Sequence, residues 1–275
     1  MWSRAGLVGK LCAILAYWAF NVFTRPSMVC RSEDTDLLTV TAGNTGSGKS
    51  ALLVSPEYKG VTETWFSPEF WGECAEPVGA GGRGSAWFVR SPDGQLVLRH
   101  YRRGGFAARF SRRRYLFTGY SRTRSFLEFN LLSVLLDKGL PVPKPVGALV
   151  SRHGALTYEA AILIERIPGG VPMPEHASLE SEVLWQRVGM TIGLFHREGL
   201  DHVDMNCDNI LVAGERVYLI DFDRCRLHTE AREDAGWKGD NLRRLRRSVN
   251  KRIQSLSNQR RDDLWQVLMA GYYKS

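Results

Sequence analysis

An α+β fold of two lobes is predicted, a β-rich N-terminal lobe with one helix followed by a mostly helical C-terminal lobe, and three observations predict it. Short apolar runs separated by turn residues fill residues 76–99 and are followed by one stretch of helical spacing at 123–136. An apolar strand, Ala160 to Ile164, runs into Pro168-Gly169-Gly170, where a hinge between lobes would fall. Beyond it, helical faces surround a hairpin bracketed by His202, Asp204 and Asn209 on one side and Asp221 and Asp223 on the other. A chain of 275 residues accommodates two such lobes. The boundaries read as an extension over 1–59, an N-lobe over 60–167 and a C-lobe over 168–275.

Within the extension, Arg4 and Lys10 precede Leu11 to Phe23, a stretch of 13 residues that is apolar apart from Asn21. It is too short to span a bilayer easily and no small-x-small cleavage site follows. An interfacial anchor, or a segment translated from a start upstream of Met28, is the expectation. Gly43 to Ser50 then matches the phosphate-binding pattern G-x-x-x-x-G-K-S residue for residue. A working loop of that kind needs a helix starting near Lys49, whose amides hold the phosphates. Pro56 and Gly60 would stop such a helix within two turns, so the segment is expected to be a flexible linker.

The N-lobe begins with Glu76-Pro77-Val78 and a small-residue loop containing Gly79, Gly81, Gly82 and Gly84. Strands Ala86 to Arg90 and Gln95 to Arg99 follow, joined at Pro92-Asp93-Gly94. Backbone amides in such a loop can approach phosphates, although glycines also serve hairpin geometry alone. From Thr123 to Leu136 apolar residues recur at helical spacing, ending at Gly139. Ser125 and Glu128 fit a capping box; alternatively Glu128 is the acidic partner that orients a cation on the preceding strand.

In the C-lobe, Leu184, Val188, Ile192 and Phe195 mark one helical face that ends at Gly199. Next comes H-x-D-x-x-x-x-N, from His202 through Asp204 to Asn209, then two apolar runs around Ala213-Gly214-Glu215, then Leu219-Ile220-Asp221-Phe222-Asp223. A hairpin turning at Gly214 places Asp221 beside residues 207–209, so Asn209 and Asp221 converge where a hard cation fits. Asp204, on the loop entering the hairpin, can face a substrate hydroxyl. This is the layout of a kinase-type phosphotransfer site.

Hydrophobic residues make up 44% of the chain and the net charge is +8 with a pI near 9.4, which favours an anionic partner or surface. Five cysteines without a C-x-x-C pair argue against a disulfide framework or zinc site and for a reducing compartment. Nine arginines and no acidic residue lie from Arg99 to Arg124, interleaved with aromatic rings. The segment reads as a solvated loop, a nucleic-acid footprint or a clamp on an anionic lipid headgroup. Asn241 to Leu256 is a basic amphipathic helix that suits either packing on the C-lobe or membrane contact.

With these residues in place, the chain resembles the 3-deoxy-D-manno-octulosonic acid (Kdo) kinase family, relatives of the lipopolysaccharide core heptose kinases and, more distantly, of protein kinases. The resemblance covers about residues 60–270 and rests on Gly82-Arg83-Gly84, the run Leu98 to Gly105, Thr123 to Phe126, Gly139 to Pro145, His202 to Asp204 with Asn206 and Asn209, Leu219 to Asp223, and Asn241 to Ser248. It implies a protein-kinase-like fold and ATP-dependent phosphorylation of the 4-hydroxyl of Kdo on a lipid A precursor. The place of action would be the cytoplasmic face of the inner membrane, with the protein bound peripherally and no nucleic acid as partner. By position, the resemblance makes Asp204 the base, Asn209 and Asp221 the magnesium ligands, and Gly79 to Gly84 the loop over the phosphates. Arg99 stands where protein kinases keep a strand lysine, and Asp223 where they keep the glycine of D-F-G. The rival readings are a kinase for another acceptor, such as heptose, an aminoglycoside or a protein, and an inactive basic binding protein for glycolipid or nucleic acid.

Overall fold

The structure, a computed structural model, describes residues 39–45, 48–79, 85–101, 114–229 and 235–275. The hydrophobic segment Leu11 to Phe23 and residues 102–113 of the arginine-rich stretch lie outside them.

The N-lobe is built on one antiparallel sheet. Its strands are β1 (Thr39–Thr45), β2 (Gly48–Val54), β3 (Ala75–Pro77), β4 (Ala86–Ser91), β5 (Gly94–His100), β6 (Tyr115–Leu116), β7 (Pro145–His153) and β8 (Thr157–Glu165). Their spatial order is β1-β2-β7-β8-β5-β4-β3, with β6 also paired to β8. Both faces are covered, which explains why β2, β7 and β8 read as near-continuous apolar runs. On one face Ala51, Leu53, Ala148, Val150, Ala160 and Ile162 share a core with Phe126, Phe129 and Leu132 of a crossing helix. On the other, Leu52, Leu96, Leu98, Val146, Ala161 and Leu163 pack with Tyr58, Val61 and Phe66 from the segment after β2. A short helix, α1 (Pro68–Trp71), closes that segment.

The expectation of a flexible linker over Gly43 to Ser50 is corrected here. The register Gly43↔Ser50 and Asn44↔Lys49 makes this segment part of a hairpin, and Ser50↔Ser151 to Val54↔Gly147 joins it to β7. Ala51, Leu52 and Leu53 are each at most 5% exposed, so the apolar run after Ser50 holds the strand in the sheet from both sides.

The crossing helix, α2 (Arg124–Asp137), starts after Thr123 in extended backbone, two positions before the capping residue that the sequence pattern suggests. Ser125 caps nothing; its hydroxyl donates to the Leu149 carbonyl at 3.0 Å and Glu128 turns into the lobe. The helix ends where expected, with Gly139 in left-handed backbone (φ +74°) before Leu140-Pro141.

After β8 the chain turns through Pro168-Gly169 into β9 (Val171–Pro172), already paired with the C-lobe. That lobe contains α3 (Glu182–Arg197), the short β10 (Leu200–Asp201), the hairpin β11 (Ile210–Ala213) and β12 (Arg216–Leu219), the short β13 (Arg226–Leu227), α4 (Gly236–Arg252) and α5 (Asn258–Lys274). Helix α3 buries Leu184, Trp185, Val188, Ile192 and Phe195. It meets α5 at contact distance because glycines face backbone on both sides. A Cβ at Gly189 would lie 1.9 Å from the Leu268 carbonyl oxygen, and one at Gly271 2.3 Å from that of Gln186.

The basic helix α4 packs as an ordinary amphipathic helix. Leu245, Val249 and the following Ile253 are fully buried, while Arg243, Arg246 and Arg252 pair with Asp240, Asp262 and Asp208. Among the described residues no helix is long and apolar enough to cross a membrane. The described residues form a two-lobed, protein-kinase-like α+β architecture with the 202–223 hairpin on the C-lobe side of the junction.

Candidate active site

Hairpin β11–β12 positions the polar residues. Its register pairs Ile210 with Leu219, and the Ile220 amide donates to the Asn209 carbonyl at 3.0 Å, so Asp221 emerges directly beside the loop 204–209. The pairing brings the backbones of Asn209 and Ile220 together around the turn at Gly214.

That loop is held by amides. Asn206 caps the turn Cys207–Asn209, its Oδ1 accepting from the amides of Asp208 at 2.9 Å and Asn209 at 3.1 Å. The Nδ2 atoms of Asn206 and Asn209 both donate to the Asp204 carbonyl at 3.0 Å. Two donors on one carbonyl fix the backbone of Asp204 and leave its side chain exposed. From below, the Cys207 amide donates to the Ser248 hydroxyl of α4 at 2.9 Å, and Asp208 points away to Arg252, with Nε–O distances of 2.9 and 3.0 Å. Asp208 is thereby committed to a structural ion pair.

His202 is fully buried, and its Nε2–H donates to the Ile220 carbonyl at 3.0 Å. Burial holds its pKa below the usual histidine range, so the ring is neutral and braces the strand end one residue before Asp221. Phe222, 1% exposed, lies against that ring at 5.3 Å between centroids. Asp221 itself adopts left-handed backbone, φ +63°, uncommon for a residue with a side chain and the kind of strain that collects at functional sites.

On the N-lobe side, Arg99 of β5 joins the two lobes. Its Nη1 donates to Asp221 and its Nη2 to both carboxylate oxygens of Glu128 on α2, while the Tyr101 hydroxyl donates to Glu128. Glu128 is therefore an ion-pair partner and not a helix cap, as its 3% exposure also requires. Burial works against the charge on Arg99, but Glu128, Tyr101 and Asp221 outweigh it and raise its pKa well above an ordinary guanidinium. Burial alone would raise Asp221; the Arg99 guanidinium beside it more than reverses this and holds the carboxyl below the usual range. Burial pushes the Glu128 carboxyl up against the pull of Arg99.

A divalent cation fits this donor set. Asn209 spends its Nδ2 on Asp204, which leaves its amide oxygen available as a hard ligand, and the Asp221 carboxylate meets Arg99 through Oδ1. One carboxylate and one amide oxygen suit a cation that completes its shell with phosphate oxygens and water. Gly79, in left-handed backbone at φ +91°, begins the loop between β3 and β4; Gly81, Gly82 and Gly84 lie outside the described residues.

Sequence reasoning missed Tyr101 as a partner of Glu128, and the ion pair of Arg124 with Asp223 at 2.9 Å. The only available signal for the second was an acidic residue standing where kinases keep glycine.

Lys49 is exposed in a strand, with no helix start beneath it. Substituting it by alanine is expected to leave the kinase rate within about twofold of wild type, as for an exposed side chain outside the reacting site. A loss of an order of magnitude in steady-state assays would restore the phosphate-loop reading.

Fold and site together define an ATP-dependent kinase. The model of the lipopolysaccharide kinase (Kdo/WaaP) family matches residues 68–272. A protein of Xanthomonas axonopodis pv. citri (strain 306) named 3-deoxy-D-manno-octulosonic acid kinase is 46% identical over 222 residues, 80% of this chain and 86% of that protein. One of the same name from Stenotrophomonas maltophilia (strain K279a) is 47% identical over 209 residues, 75% of this chain and 82% of that protein. A solved structure of WaaP in complex with acyl carrier protein aligns with a TM-score of 0.48 and 14% identity, over 75% of this chain and 86% of that chain. The chain belongs to the lipopolysaccharide kinase (Kdo/WaaP) family. It is an enzyme that transfers phosphate from ATP to a sugar hydroxyl.

Proposed function

We propose that the acceptor is a Kdo residue on a lipid A precursor and that the phosphate goes to its 4-hydroxyl. The observation that carries this is identity of 46–47% over three quarters or more of the chain to proteins named for that sugar. A net charge of +8 supports an acceptor bearing phosphates and a carboxylate, reached by peripheral binding at the cytoplasmic face of the inner membrane.

In the proposed mechanism Asp204 accepts the hydroxyl proton as the sugar oxygen bonds to the γ-phosphorus and ADP departs. The exposed carboxylate then releases that proton to water. Asn206 and Asn209 hold the Asp204 backbone and so fix the approach of the hydroxyl. Asn209 and Asp221 are the proposed ligands of Mg2+, which when bound neutralises charge on the triphosphate. Arg99 orients Asp221 and contacts phosphate as a planar fork, with Glu128 aligning it. The glycines 79, 81, 82 and 84 are the proposed cover of the phosphates.

The test is incubation of purified protein with γ-labelled ATP and a Kdo-bearing lipid A precursor, followed by location of the phosphate by NMR. Label on the Kdo 4-oxygen is expected. Label on another sugar, or transfer only to heptose, aminoglycoside or protein acceptors, would reject the assignment.

A further inference from the structure

The ion pair Arg124–Asp223 bridges the first residue of α2 to the residue two beyond Asp221, and so ties the N-lobe helix to the strand end that carries the proposed cation ligand. Arg124 is positioned from the N-lobe before it reaches across. Its guanidinium lies 4.6 Å over the Tyr115 ring and donates to the Tyr115 hydroxyl at 3.2 Å, and its backbone amide donates to the Tyr158 hydroxyl at 3.2 Å. Tyr115 and Tyr158 face each other in the β6–β8 pairing, so the anchor belongs to the sheet. On the receiving side Asp223 is 19% exposed, its Oδ2 takes the Arg124 bond, and its Oδ1 is buried with no partner among the described residues. Arg224 also approaches Oδ2, at 3.9 Å, but is 67% exposed and adds little. Arg124 is thus the main support of a carboxylate whose exposure to water is small.

Helix α2 is held at two further points: Glu128 in its first half by Arg99, and Lys138 at its end by Glu198 of the C-lobe at 2.5 Å. The Arg99 contact assembles the site only if α2 stays against the lobe junction. A glycine at position 223, as in a D-F-G sequence, would leave the start of the helix without its tie to that strand end.

We propose that Arg124 and Asp223 are positioning residues, an ion-pair latch that keeps α2 docked and the Arg99–Glu128–Asp221 contact assembled before nucleotide arrives. In this enzyme the acidic residue at 223 holds the start of the helix to the strand end. The latch acts on the geometry of Asp221 and Glu128, so it governs turnover more than nucleotide affinity.

Asp223→Asn and Arg124→Met, each in the full chain, are expected to lower kcat by about 5- to 30-fold, the range of coupling carried by one such contact, with the KM for ATP changed less than threefold. Hydrogen exchange of nucleotide-free protein should quicken at residues 124–132. The double variant should be no slower than the poorer single one, because both remove one interaction. Arg124→Lys, which keeps the charge, should recover most of the rate, and it carries the test with Asp223→Asn if Arg124→Met does not fold. Unchanged kcat, or unchanged exchange over α2, would overturn the latch. So would a loss in Asp223→Asn that far exceeds and adds to that of Arg124→Met, since Asp223 would then touch the nucleotide or its cation directly.

Discussion

Asp204→Asn is expected to reduce kcat by about two to four orders of magnitude, the usual contribution of a positioned general base, and to leave the melting temperature and the KM for ATP nearly unchanged. The separation follows from placement. The backbone carbonyl of Asp204 is held by Asn206 and Asn209, whereas its side chain is exposed and makes no hydrogen bond among the described residues. Removing the charge therefore disturbs no packing and leaves no buried group unpaired. Single-turnover rates with saturating acceptor, alongside a thermal melt, measure both quantities. A variant that retains more than a tenth of the wild-type rate would remove Asp204 as the base and move the role elsewhere on the loop.

Glu128→Ala combines the two losses that Asp204→Asn separates. Glu128 is 3% exposed and accepts from both Arg99 and Tyr101, so its removal leaves a guanidinium without its main counter-charge and a buried hydroxyl without an acceptor. Breaking a buried pair from one side costs about 3–5 kcal/mol, which denaturant unfolding would register as a lower midpoint. Arg99 then keeps only Asp221 and its guanidinium is no longer held in place by the helix, so kcat is expected to fall about tenfold or more. Stability within 1 kcal/mol of wild type would show that the pair is incidental. Glu128→Gln, which can still accept from both donors, should lie between the extremes.

The backbone geometry of the candidate site was largely legible because it is local. The spacing from Asp204 to Asn209 and a turn at Gly214 are enough to bring Asn209 and Asp221 together, since antiparallel pairing converts sequence separation into register. The helix of residues 123–136 was likewise visible in its period and in Gly139, and lies at Arg124–Asp137. What escaped was non-local or lacked a period. Strand β7 begins at Pro145 in a proline-rich run and declares itself only as the neighbour of β2 and β8. The last helix, Asn258–Lys274, carries Leu264, Val267, Leu268 and Tyr272 at helical spacing, but its contact with α3 through glycines is set only by the tertiary structure.

The linker reading of Gly43 to Ser50 failed for a related reason. Gly and Asn, which dominate the start of the segment, have low strand propensity, and only an already formed β7 gives Ala51 to Val54 a sheet to join. The capping box at Ser125 and Glu128 failed because its pattern fits two geometries. A neighbouring strand decided between them by placing Arg99 and Tyr101 where Glu128 could be buried with partners.

Residue order alone was enough for the class of chemistry: a carboxylate, an amide and a second carboxylate set by one hairpin, in a chain whose charge suits anionic partners. Docking of the lobes determined which of those charges act together. Arg99 meets Glu128 across 29 positions and Asp221 across 122, and Arg124 meets Asp223 across 99. Ion pairs at such separations have no periodic trace in a sequence, because the chain between them is free to vary while burial of the shared core brings their ends into contact.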